Sequence, residues 1–213
     1  MQNINTKEYW ENRFSNNWKE SGERQTTEYA KANVKCIPVN CDFEGTILDF
    51  GCAMGNAIPI YAQSFPKAKL IGFDISETAI KYCKKKYGTI ADFYAGSIKE
   101  IPLVSVIIAS HVMEHITDDK AIIVELLKRC NDLFVFVPYK ETPLYIEHVN
   151  YYGDNSYEEL PIVEKKVFKV QYKAKVPFTA FLKNLVTLKL IWNYNFSKDI
   201  IMFHFKDKEA KFN

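Results

Sequence analysis

The chain has 213 residues, 47% hydrophobic and 25% charged, with a net charge of +2; this is ordinary globular material, enough for the core of one α/β domain. No apolar run approaches the ~20 residues that cross a bilayer, and the polar opening MQNINTKEYWENRF is no signal peptide, so a membrane partner is not expected. Five cysteines (Cys36, Cys41, Cys52, Cys83, Cys130) without a C-x-x-C pair argue against a disulfide framework or a zinc site, and for reduced thiols in a cytoplasm.

In chain order, two short helices are predicted over 6–14 and 17–33. Residues 46–50 read as a strand buried on both faces of a parallel sheet. Asn56 is placed to cap the next helix, with Pro59 tolerated in its first turn, and that helix ends near Ser64 before Pro66. The second strand is 69–73. Ser76 then caps a helix with Ile80, Cys83 and Tyr87 at i, i+3 and i+7, ended by Gly88. Strands follow over 90–94 and 103–109. A helix over 118–129 gathers Ile123, Leu126, Leu127 and Cys130 on one face, with Asp118 and Asp119 suiting its dipole. The fifth strand, 133–137, stops at Pro138. Beyond it, 139–160 reads as a long connection ending in a short helix, followed by strands at 162–172 and 200–205 with a helix over 177–190 between them. Strands alternating with helices imply right-handed crossovers and a doubly wound α/β sheet.

The turn between the first two strands carries the chemistry. A dinucleotide site needs glycine at three places, and those places hold Gly51, Ala53 and Asn56. That spacing disfavours a nucleotide-dependent oxidoreductase. The pattern D-x-G-x-G-x-G instead fits Asp49, Gly51, Ala53 and Gly55, with one small-for-small swap, and the following strand closes on Asp74. This pattern resembles the first motif of class I S-adenosylmethionine (SAM)-dependent methyltransferases. Val106 to Ile116, VIIASHVMEHI, is similar to that family's V-x-x-x-x-x-L-E-H-I segment, and EYWENRF (Glu8 to Phe14) to a lead-in of its small-molecule members. Two positions depart from the family pattern: Ser97 and Ser105 stand where Asp is usual.

The resemblance implies a Rossmann-like, mostly parallel seven-stranded sheet with an N-terminal helical lid, SAM as cofactor and S-adenosylhomocysteine (SAH) as product. In that frame Asp49 attracts the methionine ammonium, and Gly51, Cys52, Ala53 and Gly55 form the cradle. Asp74 accepts from the ribose hydroxyls, and Ile75, with Phe73, packs on adenine. Ser97 or the Ile98 amide reaches the adenine edge, Ser110 lines the fourth-strand exit, and Tyr9, Trp10 and Arg13 approach from the lid. From the residues alone, Asp49 can equally bond turn amides, and Trp10 with Phe14 can be the buried face of a helix.

The fourth-strand exit opens at the carboxyl edge of the sheet, where ligands bind in open α/β folds. His111 is therefore the first candidate for a base or acceptor-orienting group, and His148 in the connection after the fifth strand is the second. The alternative for His111 is a histidine satisfied by a nearby carbonyl. His115 is expected to brace the loop beside Glu114. Tyr139, Tyr145, Tyr151 and Tyr152 either wall an acceptor or pack beneath a lid. No metal site is expected, because the residues between His111 and His115 differ from the H-E-x-x-H motif. From Glu164 onward there are 11 Lys against 4 acidic residues, which suits an anionic acceptor or a solvated lysine face. The scarcity of Arg there disfavours nucleic acid. The expectation is one domain over 1–213, with a lid (1–45), a SAM-binding core (46–138) and an acceptor cap with C-terminal strands (139–213). It would transfer a methyl group to oxygen or nitrogen of a small molecule. A non-catalytic SAM-binding or scaffold subunit is the alternative from another class.

Overall fold

The computed structural model describes residues 4–16, 18, 22–175 and 193–206. Two helices, α1 (Lys7–Asn16) and α2 (Glu23–Asn33), precede the alternating region. That region runs β1 (Thr46–Phe50), α3 (Ile58–Ser64), β2 (Lys69–Asp74), α4 (Glu77–Tyr87), β3 (Asp92–Ala95), β4 (Val104–Ser110), α5 (Asp119–Leu127) and β5 (Cys130–Pro138). Two long strands, β6 (Ile162–Lys175) and β7 (Asn193–Lys206), complete one seven-stranded sheet in the order β3-β2-β1-β4-β5-β7-β6. The first five strands are parallel, whereas β7 lies antiparallel to both β5 and β6.

Strand alternation sorts the core into two layers. Ile47, Val106, Ile108, Phe134 and Phe136 meet residues of α2, α3 and α4, including Tyr29, Ile58, Tyr61 and Ile80. On the other face Leu48, Ile107, Leu133 and Val135 meet Ile123, Leu126 and Leu127 of α5. Residues such as Leu48 and Ile107 are wholly buried, and each such side chain stabilises the fold by roughly 1.5–3 kcal/mol. Helices on both faces make the sheet doubly wound, as expected. The order reverses between β1 and β4, and the crevice at such a reversal is where α/β sheets hold ligands.

Ser76 caps α4 as predicted, its Oγ accepting from the Ala79 amide at 3.1 Å. Glu77 in the first turn and Lys84, Lys85 and Lys86 in the last suit the helix dipole. Asn56 does not cap α3. That helix begins after Ala57 without a side-chain cap, the Ile58 amide bonds the Gly55 carbonyl at 3.1 Å, and Asn56 is buried in the turn. The connection 139–160 contains turns and no helix, because its backbone groups are held by distant partners: the Lys140 amide by Tyr152, and the Val149 amide by Glu114. The helix expected over 177–190 lies outside the described residues, as does part of the start expected for α2. Among the described residues no helix is long and apolar enough to cross a membrane.

Candidate functional site

The turn after β1 has three left-handed residues in alternation: Gly51 (φ +72°), Ala53 (φ +48°) and Gly55 (φ +70°). At Gly51 a Cβ would stand 2.4 Å from Cγ2 of Val112, so the exit loop of β4 packs directly on this backbone. The turn is tied down internally. The Gly51 and Cys52 amides donate to the Phe73 carbonyl at 2.8 and 3.0 Å, and Gly55 donates to the Cys52 carbonyl at 2.8 Å. Asp74 clamps the turn to the start of α4: Oδ2 accepts from the Ala53 amide at 2.8 Å and Oδ1 from the Ser76 amide at 2.9 Å. A carboxylate has about four acceptor positions, so Asp74 retains capacity for further donors. Burial pushes its carboxyl up to about 6 against the pull of those amides.

Asp49 lies in mid-sheet, opposite Gly72 of β2 and Ile108 of β4. Burial pushes its carboxyl up to about 8, and the negative charge of Asp74 adds to this. Among the described residues it has no ion-pair partner. A buried carboxyl in this condition gains its charge when a cation arrives. Of the other predicted cradle residues, Cys52 is buried against Gly72, Phe73 is core, and Ile75 is nearly half exposed at the rim.

Helix α1 lies over the turn. Trp10 stacks on Phe14 at 5.8 Å, and this pair packs with Ala53, Met54 and Ala79. Glu11 reaches the N-terminus of α4, accepting from Ser76 Oγ at 3.0 Å, the Glu77 amide at 2.6 Å and the Thr78 amide at 3.1 Å. On the other side the Tyr9 hydroxyl donates to Glu147, and Arg13 Nε approaches the same carboxylate at 3.6 Å. Tyr9, Trp10 and Arg13 are thus gathered at the carboxyl edge of the sheet. Sequence reading missed Glu11 and Glu147. Glu11 has no local signature, because its partners lie 65 to 67 residues away.

The β4 exit holds the titratable groups. Ser110 Oγ accepts from Asn33 Nδ2 at 2.9 Å. His111 has φ +56°, a sparsely populated conformation for a residue with a side chain, of the kind retained at functional sites. Its Nδ1 lies 2.9 Å from Oε1 of Glu114, its ring stacks on Tyr29 at 3.9 Å, and its buried Nε2 has no partner. Glu114 is 0% exposed, and its second oxygen, Oε2, also lacks a partner. Burial raises the Glu114 carboxyl, but His111, with His115 and His148, outweighs burial and holds it below the usual carboxylate range. His115 bonds the Glu147 carbonyl through Nδ1 at 3.1 Å and packs edge-on against Trp10 and His148. Burial lowers its pKa. His148 bonds Glu141 through Nδ1, and Glu141 also pairs with Lys198.

Ser97 follows β3 beside Asp74, whose carbonyl accepts from the Gly96 amide at 3.2 Å. Ser97 is engaged with Glu100, its amide at 2.7 Å and its hydroxyl at 3.0 Å from the carboxylate, while Ile98 opens the short turn that follows β3. The S-x-x-E spacing that signals this capping box was there in the sequence. Ser105 Oγ accepts from the Thr46 amide at 3.2 Å. Tyr152 is buried and donates to Asp119 together with Tyr157, so it belongs to the core. Tyr139 bonds Asp154 at 2.7 Å, whereas Tyr145 lies against His148 and is half exposed. Lys165, Lys166 and Lys169 line β6, the sheet's far edge. Lysines there protect an open edge from pairing with another chain, which accounts for much of the basic C-terminal region.

Residues 47–132 match the family described as "Methyltransferase domain". The flavonoid 7-O-methyltransferase 1B of Mentha piperita is 33% identical over 89 residues, 41% of this chain and 24% of that protein. The matched stretch therefore spans about a quarter of that relative's length. The fold resembles a chain from the complex containing the Haloferax volcanii Trm112 methyltransferase activator. The TM-score is 0.66 at 13% identity, with 91% of this chain and 96% of that one covered. It also resembles the plantazolicin methyltransferase BpumL in complex with SAH, with a TM-score of 0.55 at 15% identity, covering 95% and 96%.

Proposed function

We propose that the chain, which matches a methyltransferase domain over residues 47–132 and has the fold of methyltransferases, is a class I methyltransferase that transfers a methyl group from SAM to an oxygen or nitrogen of a small molecule. In this reading residues 1–45 supply the lid, 46–138 hold the cofactor and 139–213 cap the acceptor. The observation that carries it is the pairing, across the β1/β4 switch point, of a cation-seeking Asp49 with the His111–Glu114 dyad. The residues fit the cofactor. Asp49 is a buried carboxyl that lacks a cation, Asp74 has spare acceptor capacity at the end of β2, and Gly51 leaves the backbone bare where a Cβ would meet Val112.

When bound, SAM supplies a methyl group on a sulfonium, already a good leaving group. The protein's part is then to hold the acceptor in line and to take its proton. His111 suits the second task. With Nδ1–H donating to the buried Glu114, Nε2 carries the lone pair and faces no competing donor. Glu114 fixes the tautomer and stabilises the imidazolium that forms, the role a carboxylate plays behind a histidine base. Tyr9, Trp10 and Arg13 exclude water from above. The likeness to a flavonoid O-methyltransferase supports oxygen as the acceptor atom. Calorimetric titration tests the reading: SAM and SAH should each bind with one-to-one stoichiometry and NADH should not. Binding of NADH without SAM would overturn it.

A further inference from the structure

The His111–Glu114 dyad shares its carboxylate with a second constellation, whose two histidines the proposed proton transfer does not use. Glu114, His115 and His148 bring one potential ligand atom each to within 4.8 Å of one another. Two come from adjacent residues after β4 and the third from the connection after β5. Each has the chemistry of a metal ligand. His115 and His148 both direct Nδ1 at an oxygen acceptor, the Glu147 carbonyl and the Glu141 carboxylate. If Nδ1–H is the donor in each bond, Nε2 is the unprotonated, ligating nitrogen in both rings. Metal-bound histidines carry this backing from a carbonyl or carboxylate, which orients the ring and raises its basicity. Glu114 contributes the third element: its Oε1 is taken by His111, while Oε2 is buried and has no partner. A buried anionic oxygen without a donor is costly, and a cation removes that cost.

We propose that Glu114, His115 and His148 form a two-histidine, one-carboxylate site for a first-row divalent cation of the Zn²⁺, Co²⁺ or Mn²⁺ class. Imidazole and carboxylate donors select such ions, and three protein ligands leave coordination positions open for an exogenous oxygen. Metal–ligand bonds of ~2.0–2.2 Å place ligand atoms about 3–3.5 Å apart, so a pair at the 4.8 Å limit must close by roughly 1–2 Å on binding. The inference deepens the methyltransferase reading, and rests on it, in one respect: it names the acceptor. An ion here stands one carboxylate from His111. It favours an acceptor that presents two adjacent oxygens, such as a vicinal diol or a hydroxy acid, and it lowers the pKa of the hydroxyl it binds. The released proton passes to His111 Nε2.

The test uses untagged full-length protein stripped with a chelator and then titrated with Co²⁺, Zn²⁺ and Mn²⁺ by calorimetry, with the visible absorption of Co²⁺ as a second readout. One equivalent should bind with three protein ligands. His148→Ala should weaken binding by about 100-fold, and Glu141→Gln, which removes the charged backing of His148 together with the Lys198 ion pair, by about 10-fold. Glu114→Gln tests the carboxylate, but it alters a buried group; His148→Ala keeps the inference falsifiable should that variant misfold. Absence of binding, or equal binding by wild type and His148→Ala, overturns the site. SAM is titrated into the same samples. If SAM binds and the metals do not, the site is lost and the methyltransferase reading stands. If metals bind and SAM does not, the cofactor assignment is lost and the cation site stands.

Discussion

Asp49 makes the most demanding prediction, because its burial has consequences for both stability and binding. Its carboxyl is raised from 3.8 to about 8 in the folded chain, first by burial and then by Asp74. Between about pH 4 and pH 8 the folded state therefore keeps a proton that the unfolded state has released. The sign follows directly. The contribution is fully present below the unfolded value and is lost as pH rises through the folded one, at about 1.4 kcal/mol per pH unit. From pH 5 to pH 7 this one group should lower stability by about 2–3 kcal/mol, or ~5–10 °C in Tm for a domain of this size. Asp49→Asn should remove that slope, so thermal unfolding of the variant should lose less Tm than wild type over the same interval. The same proton gives a binding signature. At pH 7 a cationic ammonium placed beside Asp49 should drive off about one proton per SAM bound, read as calorimetric heats that differ between buffers of different ionisation enthalpy. Asn at this position should release none and bind more weakly. Parallel stability–pH curves for the two proteins, or equal heats in all buffers for wild type, would refute the reasoning.

Three further outcomes are expected besides the metal titration. Asp74→Ala should weaken SAM binding by about 10- to 100-fold, the effect of losing charge-assisted hydrogen bonds worth ~1.5–3 kcal/mol; unchanged affinity by calorimetry removes Asp74 from the site. His111→Ala should lower turnover by ~10²–10⁴-fold while the Kd for SAM stays within about twofold, and normal turnover would make His111 structural. Glu11→Ala strips the N-terminus of α4 of three donated bonds and should reduce stability by about 1–2 kcal/mol. It should also speed proteolysis within α1, and an unchanged cleavage rate would show that Glu11 does not fasten that helix.

What could be read from the chain was whatever depends on neighbours in sequence. The run at β1, the Ser76 cap and the Ile80–Cys83 face are local statements about alternation, capping and period, and each reappears in the fold. The spacing of Asp49, Gly51 and Gly55 was legible for the same reason, since the end of β1 and the turn after it are one short stretch of chain. Asn56 failed as a cap because the turn's own hydrogen bonds delayed α3 by a residue, a competition that propensity does not report. The connection 139–160 was misread as ending in a helix because its conformation is held by Glu114, Tyr152 and other distant groups rather than by its own period. The convergence of Glu114, His115 and His148 was out of reach for a related reason. His148 comes from beyond β5, and only the parallel register of β4 and β5 brings its loop beside the β4 exit.

Helix α1 is fastened on two faces to different parts of the molecule: Glu11 to the start of α4 beside the glycine turn, Tyr9 and Arg13 to Glu147 beside the histidines. A ten-residue helix held on both faces cannot leave one attachment without loading the other. In mechanical terms the turn and the histidine pocket share one door with two latches, and traffic to either side waits on the same opening. Exchange at the two pockets should then occur on one clock, with a single rate constant for α1 release limiting both.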